Sequence, residues 1–310
     1  MKKENFIIIR VFGGLGNQLW QYALGRSLSL KYKKDLVLDL SFFKNSLIDF
    51  PKGFKSEFEL DKFKIPNSTL IESNFNNYSY RFFKYFINFL PNFLKIKFFK
   101  NKNYEITNFI FEEKLFKKKS FNLSRKRTES SYFIGYWQCK SYMKQNSDII
   151  KKELKPKYIK DDVKKILNKI KNNYVAIHIR GGDMSLEKGY TEPGKDFYFK
   201  VFDLLKNKNK NKNKNYYFHI FTDDLKFTKK IIKNLNLKNF TIISKTKKFS
   251  NIDEFYIMQH YKYFVISRST FSWWAAYLGR DKNREIFAPK IWYGNKIMFS
   301  GIKLKNMTLV

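Results

Sequence analysis

Tyr174-Val-Ala-Ile-His-Ile-Arg-Gly-Gly-Asp183 reads as an apolar strand that carries His178 and Arg180 to its carboxyl end, where a glycine pair opens the backbone. A strand buried on both faces is expected to be apolar along its length. Two cationic-capable side chains at alternate positions near its end therefore ask for a partner such as an anion. In an open α/β sheet the carboxyl edge is where ligands bind. A diphosphate held by Arg180 meets the demand; solvent or a nearby carboxylate meets it too.

Outward from this strand, helical and strand patterns alternate. A helix is predicted over Asp196–Leu205, a strand over Tyr216–Thr222, a helix over Leu225–Leu235, and a strand over Phe240–Ser244. Helix Ile252–Tyr261, strand Tyr263–Ser267, helix Ser272–Leu278 and strand Glu285–Ala288 follow. The same grammar opens the chain, with strand Phe6–Phe12, a glycine turn, helix Asn17–Tyr32 and strand Asp35–Leu40. Such alternation predicts parallel sheets covered by helices on both faces. Charges crowd around Pro156, so the boundary is placed there, giving a first domain over 1–155 and a second over 156–310. Within the first, a basic aromatic insertion spans about 70–130. In its Tyr78–Lys100 part, rings alternate with Lys and Arg, which suits either an inserted helical pair or contact with an anionic membrane. The Asn-Lys repeat Asn207–Asn215 is expected to be a solvated loop.

The chain has 310 residues, 43% of them hydrophobic, and a formal net charge of +35. The cations are mostly Lys scattered over the whole length among Asn, Ile, Phe and Tyr, a pattern of solvated positions rather than a nucleic-acid footprint. The charge does favour anionic and phosphorylated ligands. A single cysteine, Cys139, excludes an intramolecular disulfide and a four-thiolate zinc site, which fits a reducing compartment. The first residues lack the apolar core of a signal peptide, so a cytoplasmic protein is expected, with peripheral contact at the inner face of the membrane left open.

Gly13-Gly-Leu-Gly-Asn-Gln-Leu19 follows a strand and opens a helix, so its amides can meet an anion. A dinucleotide fingerprint built on Gly14 and Gly16 would need glycine at position 19, where Leu stands, although Asp39 sits near the place of a ribose-binding acid. Thr222-Asp-Asp224 ends a strand; its aspartates could accept from a base or ribose, and one of them could simply cap the next helix. Ser267-Arg-Ser-Thr-Phe-Ser272 offers hydroxyls and helix-start amides, a second anion cradle or an ordinary cap. No Walker loop and no nucleophile elbow occur, the three histidines lack metal-ligand spacing, and no Asp-x-Asp pair stands at a strand end.

Taken in order, Gly13-Gly-Leu-Gly-Asn-Gln-Leu-Trp-Gln-Tyr-Ala23, Gly135-Tyr-Trp-Gln138, His178-Ile-Arg-Gly-Gly-Asp183, Phe221-Thr-Asp-Asp224, Ser269-Thr-Phe-Ser-Trp-Trp274 and Ala288-Pro-Lys-Ile-Trp292 resemble the alpha-1,2-fucosyltransferases of glycosyltransferase family eleven. The resemblance spans almost the whole chain. It implies an α/β protein of GT-B architecture, two facing Rossmann-like domains, with GDP-fucose held mainly by the second and a glycan acceptor by the first. It further implies metal-independent, inverting transfer of L-fucose to the 2-hydroxyl of a galactose-terminated or lipid-linked oligosaccharide, with no cofactor, during synthesis of lipopolysaccharide O-antigen or capsule. On this reading Arg180 binds the diphosphate and stabilises the leaving GDP. His178 supports the nucleotide side, Asp223 or Asp224 contacts guanosine, and Ser269, Thr270, Phe271 and Ser272 surround the phosphates. Gly14, Gly16 and Asn17 close over the donor. Asp183 is a candidate general base, or a tie for its own loop. The family usually has a second Arg after Arg180; Gly181 stands there instead, leaving less positive charge near the phosphates. A non-catalytic reading, a basic adaptor at anionic membranes on the same fold, is the alternative.

Overall fold

A computed structural model describes residues 6–44, 56–66, 68–71, 106–112, 130–181, 193, 195–209, 215–244, 248–293, 296–298 and 300–310. The chain divides into two compact units, Met1–Lys155 and Pro156–Val310. Each is built round a parallel sheet, giving the α/β class with two Rossmann-like halves that the alternating pattern predicts.

In the first unit β1 (Phe6–Arg10), α1 (Leu15–Tyr32) and β2 (Asp35–Asp39) form the opening βαβ unit. A short helix α2 (Ser41–Lys44), then β3 (Thr69–Ile71), β4 (Ile106–Phe111), β5 (Ser130–Ile134) and helix α3 (Ser147–Glu153) follow. The sheet runs β3-β2-β1-β5-β4, so the strand order reverses direction between β1 and β5. Residues 6–11 are all buried, as a central parallel strand requires. Helix α1 comes unusually close to the sheet at Gly25, where an added Cβ would lie 2.4 Å from Ile9 Cγ1 and 2.7 Å from Leu36 Cδ1.

The second unit holds α4 (Asp161–Leu167), β6 (Tyr174–Ile179), α5 (Lys195–Asn209), β7 (Tyr217–Thr222), α6 (Leu225–Asn234) and β8 (Phe240–Ile242). Helix α7 (Asn251–Met258), β9 (Tyr263–Val265), α8 (Thr270–Tyr277), β10 (Glu285–Ala288), a hairpin of β11 (Ile291–Tyr293) and β12 (Lys296–Ile297), and β13 (Met307–Leu309) complete it. Its main sheet runs β13-β10-β9-β6-β7-β8, with the reversal between β6 and β9. Its core joins Val175, Ile177 and Ile179 to Val201, Ile220, Val265 and Phe287.

Two readings of local structure need correction. Helix α5 continues to Asn209 and so takes in the first residues of the Asn-Lys repeat: its last fully buried residue is Leu205, beyond which Lys side chains sustain an exposed helical turn. Strands β8 and β9 stop earlier than predicted, because Ser244 and Ser267 turn out of the ladder to make side-chain hydrogen bonds. The Tyr78–Lys100 stretch lies outside the described residues, and so does most of the insertion. Among the described residues no helix is long and apolar enough to cross a membrane.

Candidate active site

The reversal between β6 and β9 is the place where a doubly wound sheet opens a crevice at its carboxyl edge. Arg180 leaves β6 there, with its Nε 3.3 Å from Asp223 Oδ2. The other carboxylate oxygen, Oδ1, accepts the Gly181 N–H at 3.0 Å. Asp223 therefore orients both the guanidinium and the loop that follows it. The Arg180 side chain is 22% exposed, sheltered enough to hold a geometry yet reachable by a ligand. Gly181 backs onto α6: an added Cβ would lie 2.9 Å from Phe227 Cδ1 and 3.0 Å from Asp224 Cβ. Gly181 is thus packed against an aromatic ring.

His178 is buried, shares a hydrogen bond of 2.7 Å between its Nδ1 and Ser267 Oγ, and stacks on Phe271 at 5.4 Å between ring centroids. This bond spans the crevice from β6 to the end of β9. Burial pushes the imidazole pKa down to about 3; Asp223 opposes the shift and Arg180 adds to it. His178 is accordingly neutral at physiological pH, a support for Ser267 and Phe271 rather than a second cation.

Ser269 caps α8, its Oγ accepting the Phe271 N–H at 3.3 Å. Ser272 is fully buried and its Oγ–H donates to the Ser269 carbonyl at 3.2 Å. These hydroxyls brace the helix start, and Thr270 and Phe271 form its first turn. Asp224 is the cap of α6, with Oδ1 accepting the Phe227 N–H at 2.9 Å. The two aspartates are therefore not equivalent: Asp223 serves Arg180, and Asp224 serves the helix. His178, Arg180, Asp223 and Ser269–Ser272 share one sheet edge; Asp183 lies outside the described residues.

A neighbouring polar chain escaped the sequence reading. The Thr222 N–H donates to Ser244 Oγ at 2.9 Å, and the Ser244 hydroxyl donates to Glu254 Oε2 at 2.7 Å. Burial raises the Glu254 carboxyl to about 7, with Asp253 adding to the rise and the Ser244 hydrogen bond opposing it. Its signal in sequence is an acid within the apolar run Ile252-Asp-Glu-Phe-Tyr-Ile-Met258. Among the described residues no group of three His, Cys, Asp or Glu is arranged to hold a metal ion.

In the first unit, Gly14, Gly16 and Asn17 stand at the carboxyl edge of β1. Gly13 adopts φ +75°, the left-handed region that favours glycine. Gly14 is exposed, with nothing within 4 Å of where a Cβ would stand, whereas Gly16 is buried in the first turn of α1. Two buried glutamines of the same motif fix the loop. Gln18 Nε2 donates to the carbonyls of Gly13 at 2.9 Å and Glu57 at 2.7 Å, and its Oε1 accepts the Glu59 N–H at 3.0 Å. Gln21 accepts the Phe12 N–H at 3.0 Å and donates to the Gly135 carbonyl at 3.3 Å. Asp39, the position of a ribose-binding acid in a dinucleotide fold, is fully buried. It accepts the Ser41 N–H and the Tyr132 hydroxyl, so it is committed to the end of β2.

Comparison with known proteins matches residues 6–307 to glycosyl transferase family 11. An Escherichia coli alpha-1,2-colitosyltransferase is 28% identical over 294 residues, covering 93% of each chain. The Escherichia coli O-antigen biosynthesis glycosyltransferase WbnK is 26% identical over 310 residues, covering 91% of this chain and 93% of the relative. Among solved structures, the fucosyltransferase NodZ from Bradyrhizobium aligns at 14% identity and a TM-score of 0.47, over 89% of this chain and 94% of its own. POFUT1 in complex with GDP aligns at 12% identity and a TM-score of 0.46, over 93% and 99%.

Proposed function

Because the chain belongs to glycosyl transferase family 11, we propose that it transfers L-fucose from GDP-fucose to the 2-hydroxyl of a galactose-terminated glycan, with inversion at the anomeric carbon and without a metal ion. The observation that carries this reading is the Arg180–Asp223–Gly181 cluster at the carboxyl ends of β6 and β7, beside the β6/β9 crevice. Glycosyl transfer from a nucleotide sugar separates charge, leaving an oxocarbenium-like sugar and a diphosphate. A fixed guanidinium at the phosphates is worth more as that charge develops than in the ground state. Arg suits the task better than Lys because its planar fork meets two phosphate oxygens at once. Helix-start amides of α8 beside Ser269 supply further donors to the same anion. The acceptor hydroxyl must lose a proton to a base, for which Asp183 is the candidate.

The product is proposed to belong to a surface polysaccharide. One relative is an alpha-1,2-colitosyltransferase and another an O-antigen biosynthesis glycosyltransferase, which supports an alpha-1,2 linkage and that setting. The colitosyl relative also supports GDP-colitose as a second donor to be tried. The deciding assay is GDP release from GDP-fucose by purified protein in EDTA, across galactose-terminated acceptors. Acceptor-stimulated release that survives the chelator is the expected result. No release from either donor, with or without added magnesium or manganese, would overturn the reading.

A further inference from the structure

The first unit has its own reversal of strand order, between β1 and β5, and the chain leaving β5 there is Gly135-Tyr-Trp-Gln138. Trp137 adopts φ +56°, a conformation that a bulky residue reaches only under strain, of order 1–3 kcal/mol. The strained turn buries Trp137, edge-on to Phe133 at 6.0 Å and to Tyr142 at 6.2 Å, and leaves Tyr136 38% exposed. Several contacts hold it. Glu112, at the end of β4, accepts the Tyr136 N–H at 2.7 Å. The ring of Phe12, just beyond β1, meets that of Tyr136 edge-on at 5.0 Å. A Cβ on Gly135 would lie 2.4 Å from Glu112 Cβ, so only glycine allows the carboxylate so close. Three residues beyond Gly135, Gln138 Nε2 donates to Asn17 Oδ1 at 3.2 Å, tying the turn to the glycine loop of β1.

Strain that the surroundings over-determine marks ligand clamps. Of the exposed aromatic side chains among the described residues, Tyr136 lies just beyond the end of a strand, whereas Tyr158 precedes α4 and Phe199 lies within α5. We propose that Tyr136 is the stacking platform of an acceptor-sugar subsite, with the pyranose C–H face against its ring and the Gln138, Asn17 and Glu112 side chains positioning the sugar's hydroxyl rim. A pyranose is apolar on one face and ringed by hydroxyls, so it needs one flat aromatic surface and neutral or anionic hydrogen-bonding groups around it. The side chains that hydrogen bonds tie into this turn include two amides and a carboxylate. Groups of that kind suit the hydroxyls of a neutral polyol.

The proposal rests on the transferase reading, and its test separates the two. Kinetics of Tyr136→Ala and Tyr136→Trp with GDP-fucose and methyl β-D-galactopyranoside are compared with the parent chain. Tyr136→Ala is expected to raise the acceptor KM about tenfold, while the donor KM and the acceptor-free hydrolysis of GDP-fucose stay unchanged; Tyr136→Trp, which keeps a stacking ring, is expected to restore the acceptor KM. An unchanged acceptor KM, or a donor KM that rises in parallel because the ring holds guanine instead, overturns the subsite. If the parent turns over no donor, saturation-transfer NMR with the same galactoside decides alone. Transfer seen in the parent and lost in Tyr136→Ala sustains the subsite, and absence from both overturns it.

Discussion

Arg180 is held by the Asp223 carboxylate and is followed by Gly181, so it is the motif's one guanidinium. Arg180→Ala is expected to lower kcat by about 10²–10³ with an unchanged melting temperature, the usual cost of losing one preorganised donor at a developing anion; stopped-assay kinetics alongside a thermal melt check both halves. The Gly181 environment makes a second expectation. Gly181→Arg alone should cost about 1–3 kcal/mol, read by denaturant unfolding, since its Cβ enters the space of Phe227 and Asp224. Adding Phe227→Ala should recover part of that loss. Residue chemistry of this kind was legible in sequence only in outline. His178 and Arg180 stood out as polar residues ending an apolar strand, but the partners that hold His178, Ser267 and Phe271, are 89 and 93 positions away and reach it only through the sheet.

Helix α1 shows what the elements add. The glycine pattern of the first turn points to position 19 as the site of close helix-to-strand packing, yet Leu stands there and the close approach occurs at Gly25, nearly two turns on. Gly25→Ala should therefore destabilise the first unit by about 1–3 kcal/mol despite the better helix propensity of Ala, because Ile9 and Leu36 must both give way; a fall in melting temperature on calorimetry is the expected reading. Periodicity revealed the β1-α1-β2 unit and the alternation from β6 to β10, whose apolar runs are long or bounded by turn residues. It did not reveal β5, which begins with Ser130 and Ser131, because their polarity reads as loop. In the fold both serines are buried, and Ser130 Oγ accepts the Phe6 N–H at 3.2 Å. Nor could three-residue β13 be found by any pattern.

Across the molecule, all three histidines have depressed pKa values, His178 to about 3 and His219 and His260 to about 4, chiefly through burial. The unfolded chain takes up protons below about pH 6.5 that the folded chain refuses, so their stabilising contribution is complete above that pH and is lost as the pH falls towards 4. Glu254 works the other way between about pH 4.5 and 7, since its raised pKa lets the folded chain keep a proton that the unfolded chain releases. Three imidazoles against one carboxyl leave two protons, and stability should fall by at most about 3 kcal/mol per pH unit through this window. Denaturant midpoints at pH 7.5, 6.5 and 5.5 check the slope, and Glu254→Gln should steepen it. Strand β13 has a consequence of another kind. It covers the outer rim of β10, with the Val310 N–H on the Ala288 carbonyl at 2.9 Å and the Lys290 N–H on the Val310 carbonyl at 2.9 Å. Without those few residues, the backbone groups of buried Ile286, Phe287 and Ala288 would face outward as an unguarded template for another copy. A three-residue strand therefore acts as a safeguard of solubility, keeping this sheet from growing into its neighbours at the concentrations of a crowded cell.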